Sequence, residues 1–299
     1  MNTRIRRSLA AAVAAATLTS PAASSSFDSL WYDGNAEIST YRTVEMRYGQ
    51  PRNGTRTMVF VTEPMRLSTH IKPDQPIPDE KKIAVIKLND VREFTTGIYD
   101  YNVMTSVFAA VEEKSGIPRG ATMKQAFSSQ EWCGVVFENI IRESDTYKRS
   151  LYSYFESEGT KHESIPHHGK VETEDNLWLM IRELQGPILR SGESRTLTLL
   201  PSLWLRRKTH ENVTTKKATL TKGEPERIQT KLGSFRSVPF EWTAEQGATK
   251  VWVEAAYPHR ILKWNERDGS AGEIMASRRE PYWKLNKNRH TAYRAELEL

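Results

Sequence analysis

From Ala36 the chain reads AEISTYRTVEMRY, with Ala36, Ile38, Thr40, Val44, Met46 and Tyr48 on one side of a period of two and Glu37, Ser39, Thr43, Glu45 and Arg47 on the other. Successive strand side chains point to opposite faces, so the alternation predicts a half-buried strand with the apolar set inward and Glu37 and Glu45 exposed. GQPRNGT supplies turn chemistry in Pro51 and Asn53–Gly54, and TRTMVFVTE reads as the hairpin partner. PMRLSTHIKPDQPIPDEK holds four prolines and reads as a loop. KIAVIKLNDVREFTTGIYDYNVMTSVFAAVEE contains at least two more strands, and ATMKQAFSSQEWCGVVFENIIRE and YKRSLYSYFESEG continue the series. The tail alternates strands about an Arg267-Asp268-Gly269-Ser270 turn. Such a run of short strands predicts a mainly β fold, a large curved antiparallel sheet or half-barrel with one or few helices.

One segment departs from the period of two. After the polar loop TKHESIPHHGKVETED, Leu177, Ile181 and Leu184 fall at i, i+4 and i+7, the spacing of one helix face. Thr173 is placed to cap this helix, Glu174 and Asp175 suit its positive end, and Gly186–Pro187 stops it. The helix, near 174–185, divides two β-rich halves that form either one sheet or two.

The first 23 residues set the compartment. Arg4, Arg6 and Arg7 precede an Ala-rich apolar run, and small residues close it at Pro21-Ala22-Ala23. That order is a secretory signal peptide. The run is shorter than the roughly 20 residues a membrane span needs. The expected organisation is a signal peptide over 1–23 and a single β-rich domain over 27–299, exported to a periplasm or the extracellular space, with no transmembrane segment in the mature chain.

The whole chain carries +6, and loss of three leader arginines leaves about +3. That is too little to imply nucleic acid, which needs a clustered basic surface. Leu205-Arg206-Arg207-Lys208 and Arg278–Arg279 are the basic clusters, and both read as solvated ends. One cysteine excludes an internal disulfide, so burial alone must hold the core.

Four sets of residues are candidates for chemistry. Cys133, in SSQEWCG, is a nucleophile only if the fold brings it a base; its neighbours Trp132, Val135, Val136 and Phe137 instead suggest a buried core strand. His162, His167 and His168, with Glu163, have the donor chemistry of a zinc site, but Pro166 and Gly169 mark their segment as a solvated loop. Asp33, Glu37 and Glu45 are carboxylates whose placement favours a turn and an exposed strand face. Of the many aromatics, Trp31, Tyr99, Tyr101 and Trp132 are candidates to line a ligand cavity, with ordinary core packing as the plain alternative. No phosphate-cradling glycine loop or Gly-x-Ser-x-Gly elbow occurs, and no cofactor is implied.

WYDGNAEISTYRTVEMRYGQPRNGTRTMVFVTEP, VIKLNDVREFTTGIYDYNVMTSVF, SSQEWCG, and YFESEG followed by EDNLW resemble, in that order, an exported bacterial family that goes under the label "septum formation inhibitor Maf". The resemblance covers roughly Trp31 to Leu205. Authentic Maf proteins are cytosolic α/β nucleotide pyrophosphatases, so the label carries no function to a β-patterned chain with a leader. In that family a polar residue, often His, follows the WCG block; Val135 stands there in this chain. VWVEAAYPHRILKWNERDGSAGEIMASRREPYW is similar to the closing strands of a second exported β-rich family, akin to the curved-sheet carriers of lipoproteins. That likeness implies a bent antiparallel sheet wrapped over a helix, with an apolar concave side.

Two functional expectations follow. One is a non-catalytic envelope protein that binds a lipid, lipoprotein or other amphiphile. The other is a periplasmic hydrolase using Cys133 or a metal in the histidine loop.

Overall fold

The computed structural model describes residues 26–299; the leader read over 1–23 lies outside them. The first half carries β1 (Ala36–Arg47), β2 (Gln50–Arg66), β3 (Lys82–Thr96), β4 (Tyr99–Ala110), β5 (Thr122–Glu131), β6 (Gly134–Arg142), β7 (Thr146–Ser153) and β8 (Thr160–Pro166). The second carries β9 (Val171–Thr173), β10 (Ser194–Leu200), β11 (Lys216–Lys222), β12 (Glu226–Thr230), β13 (Gly233–Ala244), β14 (Gly247–Glu254), β15 (Ile261–Asn265) and β16 (Ala271–Glu280). Four short α-helices, α1 (Ser26–Trp31), α2 (Leu177–Met180), α3 (Leu203–Thr209) and α4 (Tyr293–Glu296), and four single 3₁₀ turns accompany the strands among the described residues.

The two halves are one open sheet, ordered β8-β7-β6-β5-β4-β3-β2-β1-β16-β15-β14-β13-β11-β10-β9, with β12 paired on β13 as a branch. They join where β1 pairs with β16, and among the described strands β9 and β10 are the parallel pair. The fold is therefore mainly β, as its alternation predicts, and the halves are not separate sheets.

The sheet curls round α2. Trp178 meets Trp242 of β13 edge-on at 5.9 Å and Trp264 of β15 at 5.5 Å. Arg56 of β2 lies 4.2 Å over the same indole. Strands well separated in sheet order can share one side chain only if the sheet bends around it. Farther along the roll, Trp204 of α3 packs against Phe94, Tyr101 and Phe127 of β3, β4 and β5.

Ala36, Ile38 and Thr40 are buried as their pattern predicts, but the face carrying Glu37, Glu45 and Arg47, expected outside, is buried as well, and burial alternates only from Tyr41 on. Tyr41, Thr43, Glu45 and Arg47 turn inward and are buried, with Glu37 further up the same face. Val44 and Met46 are half-exposed on the outside. Ile38 and Thr40, on the same face as Val44 and Met46, are buried, and Thr40 Oγ1 donates to the Leu297 carbonyl of the C-terminal segment at 2.6 Å. The polar face turns inward because it finds charged partners there.

The basic cluster at 205–208 is likewise internal. Arg206 pairs with Glu138, Arg207 with Glu158, and Lys208 with Asp268. The helix near 174–185 is shorter than its spacing predicts, one 3₁₀ turn (Glu174–Asn176) followed by α2. Glu183 takes a left-handed backbone (φ 47°), which a continuing helix does not allow. Leu177, Ile181 and Leu184 are nevertheless all buried. Thr173 does not cap; its hydroxyl bonds Thr122 Oγ1 at 3.0 Å. The polar loop before it contains β8, an edge strand whose exposed polar side chains hide its pairing from a pattern search.

Arg182 ties this inner segment to the sheet. It is fully buried. Its Nη2 donates to Glu37 Oε2 at 2.8 Å and the Pro258 carbonyl at 2.7 Å, and its Nε to the His259 carbonyl at 3.1 Å. Its guanidinium also stacks over Phe60 at 4.2 Å. Removing one partner of such a pair strands a buried charge, at a cost of about 3–5 kcal/mol. Arg182→Met is therefore expected to lower the urea unfolding free energy by about that amount. Adding Glu37→Leu should recover part of the loss. A double variant as unstable as the single would show that charge pairing is not what Arg182 contributes.

Candidate functional site

The principal concavity lies where the inner segment meets the start of β5, the end of β4 and α1. A cavity of about 400 Å³ has an apolar floor that includes Phe27, Ile86, Ala109, Leu179, Met180 and Ile188. A second cavity, of about 570 Å³, shares Phe27, Arg119 and Leu184 with it, so the two form one cleft. Both volumes lie within the range of ligand sites.

The walls are fixed by the chain's own bonds. Glu183 Oε1 accepts the Ile188 amide at 2.9 Å, and Glu183 also pairs with Lys222, closing the 184–188 loop. Gln185 Nε2 donates to the Val111 carbonyl at 2.5 Å and ties that loop to the end of β4. On the opposite wall α1 is held by Trp31, whose carbonyl accepts a bond from Thr62.

Polar groups sit at defined points around this floor. Arg119 and Arg195 are exposed and line the cleft. Glu172 lines it from β9; burial pushes its carboxyl up from the usual range, against the pull of Arg142 and Arg195. Glu172 Oε2 and the fully buried Asn176 Oδ1 have no hydrogen-bond partner. A concavity with an apolar floor and a few fixed polar groups has the build of a small-molecule site.

The aromatic candidates separate. Trp31 is buried, with Arg279 at 5.0 Å and Arg182 at 5.3 Å over its ring; it supports a cleft wall and does not line the cavity. Tyr99, Tyr101 and Trp132 do come together, elsewhere. Tyr99 stands 5.8 Å from Tyr101 and 6.1 Å from Trp132, in a row that starts at the buried Phe94–Tyr101 stack and ends at the solvent-exposed Trp132.

Cys133 is exposed, which corrects the expectation of a core strand. Glu131 pairs with Gly134, so Trp132 and Cys133 form a two-residue hairpin turn between β5 and β6. The inward residues Phe127 and Ser129 end one strand and Val136 begins the next. Glu131 Oε2 accepts the Cys133 amide at 2.6 Å, and this acidic neighbour raises the thiol pKa.

The histidines have separate partners. His162 Nδ1 bonds Ser150 Oγ at 3.2 Å on the β8 edge. His167 is buried, its Nε2 at 3.1 Å from the Glu143 carbonyl and its Nδ1 accepting the Gly169 amide at 2.8 Å. His168 follows with a positive φ. Among the described residues no group of three His, Cys, Asp or Glu side chains is arranged to hold a metal ion.

Asp33 pairs with Arg279. Glu45 and Glu37, expected on an exposed face, are buried. Glu45 belongs to an ionic core: Arg92 Nη1 reaches Glu45 Oε1 at 3.3 Å, while Arg92 Nη2 and Arg56 Nη1 reach Glu266 Oε1 at 3.1 and 3.3 Å. Asp90 accepts Arg56 Nε at 2.5 Å. Burial pushes Glu45 up. It acts the same way on Glu266, but Arg92, Arg56 and Lys208 outweigh it and hold that carboxyl at about 2. Burial raises Asp175 to about 6, even though it accepts the Leu203 amide at 3.0 Å. Glu45 and Glu266 are buried beyond the reach of a substrate in this arrangement, so the network reads as core.

The cleft residues Arg119, Glu172, Arg195 and Ile188 escape a sequence reading. The only local signs are turn residues beside apolar ones, in Ile117-Pro118-Arg119-Gly120 and Gly186-Pro187-Ile188-Leu189.

No family model matches the chain, and no curated protein matches it. Among solved structures, a DUF1089 family protein from Pseudomonas aeruginosa is similar at 8% identity over 59% of this chain and 82% of that one, with a TM-score of 0.35. At that score the likeness bears on neither fold nor function.

Two measurements check these assignments. A thiol reagent is expected to label Cys133 readily in the native protein, somewhat more slowly than in the unfolded one, and Glu131→Gln should speed native labelling near neutral pH by lowering the thiol pKa. Labelling only on unfolding would place the thiol inside. For Asp175 a raised folded pKa costs stability as pH rises from the ordinary carboxylate range through about 6. The stability of Asp175→Asn relative to the native chain should therefore rise over that window, by up to about 3 kcal/mol. A flat difference would contradict the assignment.

Proposed function

We propose that this protein is a non-catalytic binder of an amphiphile, a lipid or the acyl end of a lipoprotein, and that it works in the cell envelope after export. The observation that carries the reading is the cleft between α1 and the 184–188 loop. Its floor is apolar, its walls are held in place by Glu183 and Gln185, and its charged groups stand beside that floor. A preformed site spends little on ordering when a flexible chain enters. Among the described residues no helix is long and apolar enough to cross a membrane. The envelope location rests on the leader alone.

Burying each methylene contributes about 0.8 kcal/mol, so shortening a bound chain by two carbons should weaken binding roughly tenfold. Dansyl-undecanoic acid, titrated by fluorescence, is expected to bind saturably. Ile188→Trp fills the cleft from a half-buried position and should weaken that binding at least about tenfold, with Tm little changed. Undiminished binding to a correctly folded Ile188→Trp protein would place the ligand elsewhere and sink the proposal.

A further inference from the structure

The geometry points to an anionic head group on the amphiphile, held between Arg119 and Arg195 at the mouth of the cleft. This inference rests on the amphiphile reading above and names the ligand's polar end.

The pairing of arginines in this fold carries the argument. Arg56, Arg92, Arg149, Arg182, Arg206 and Arg267, all turned inward, each meet a carboxylate. Arg119, in the turn before β5, and Arg195, near the start of β10, like the exposed Arg42, Arg190 and Arg227, have no ion-pair partner among the described residues, and it is their place in the cleft that sets them apart. Both line the same cleft, and both are exposed at its mouth.

The carboxylates of this cavity do not cancel them. Glu183 is committed to Lys222 and to the Ile188 amide. Glu172 remains, and its burial disfavours its ionised form. In the cavity beside α1, which Arg119 also lines, Glu112 accepts the Ala84 amide at 2.9 Å, and Asp28 also has an interaction partner. The apolar floor is thus lined by two exposed guanidiniums held in no ion pair, Arg195 within electrostatic reach of the partly disfavoured Glu172 carboxylate, and together they favour an anion by charge and by their fork of N–H donors. A carboxylate and a phosphate ester share that chemistry.

The test uses the chain without its leader and lauryl probes that differ only in the head, each below its micellar concentration: laurate, lauryl phosphate, lauryl maltoside and lauryl trimethylammonium. Competition against the dansyl probe is expected to show at least one anion binding about tenfold or more tighter than the maltoside, with the ammonium weakest. Tighter laurate would name a free fatty acid, and tighter lauryl phosphate a phosphorylated lipid. Arg119→Gln with Arg195→Gln should reduce the anion's advantage to about threefold or less and leave the maltoside unchanged, and high salt should act in the same direction. Both substitutions lie on exposed side chains, and circular dichroism confirms that the variant is folded. Equal affinity for anionic and uncharged probes would overturn the head-group assignment and leave the amphiphile reading standing. Failure of every probe to bind would overturn that reading itself.

Discussion

The rolled sheet depends on Arg182. A guanidinium with no exposure to solvent joins the inner segment to Glu37 of β1 and to the backbone at Pro258 and His259. It lies between the ring of Phe60 and that of Trp31, so α1 is drawn into the same arrangement. One side chain therefore connects the middle of the sheet, the segment inside it and the helix on its rim. The cleft opens where these parts meet, and its shape follows from how firmly they are joined.

The interior as a whole is less apolar than a β half-barrel pattern suggests. An aromatic and aliphatic core surrounds α2, while Arg56, Asp90, Arg92, Glu45 and Glu266 form a charged layer beside it. Such pairs add little net stability, because desolvation offsets most of their attraction. Their geometric demands are strict, however. A strand slipped by one residue would turn Glu45 and Arg47 away from their partners, so the charged layer penalises the wrong register more than it rewards the right one.

Fold class was legible because alternation and turn chemistry are local. The Arg267–Ser270 turn stands where its residues place it, and β1 and β2 do form a hairpin, but the chain turns at Tyr48–Gly49, and Pro51 and Asn53–Gly54, read as the turn, pair with Met46, Val44 and Thr43 inside β2. Which face of β1 points inward was not local: it depends on Arg182, Arg92 and Trp264, all more than forty residues away. The same holds for Arg206–Lys208, which read as solvated until Glu138, Glu158 and Asp268 are brought to them. Cys133 misled in the opposite direction, because Trp132 shares its turn and Val135 and Phe137 lie on the exposed face of β6, so of its apolar neighbours Val136 is the buried one. Of the aromatic candidates, Trp31 supports the cleft without entering it, and the residues at the cleft mouth carry no motif. A binding site assembled from turns far apart in sequence leaves no spacing to recognise.

The account stands or falls on where an amphiphile binds. The most direct measurement is a methyl NMR titration of the protein with laurate, following Ile86, Met180 and Ile188 in the cleft against Val135, exposed at the start of β6. The account predicts saturable shifts at the three cleft methyls and none at Val135. Shifts confined to Val135, or none anywhere at saturating laurate, would contradict it.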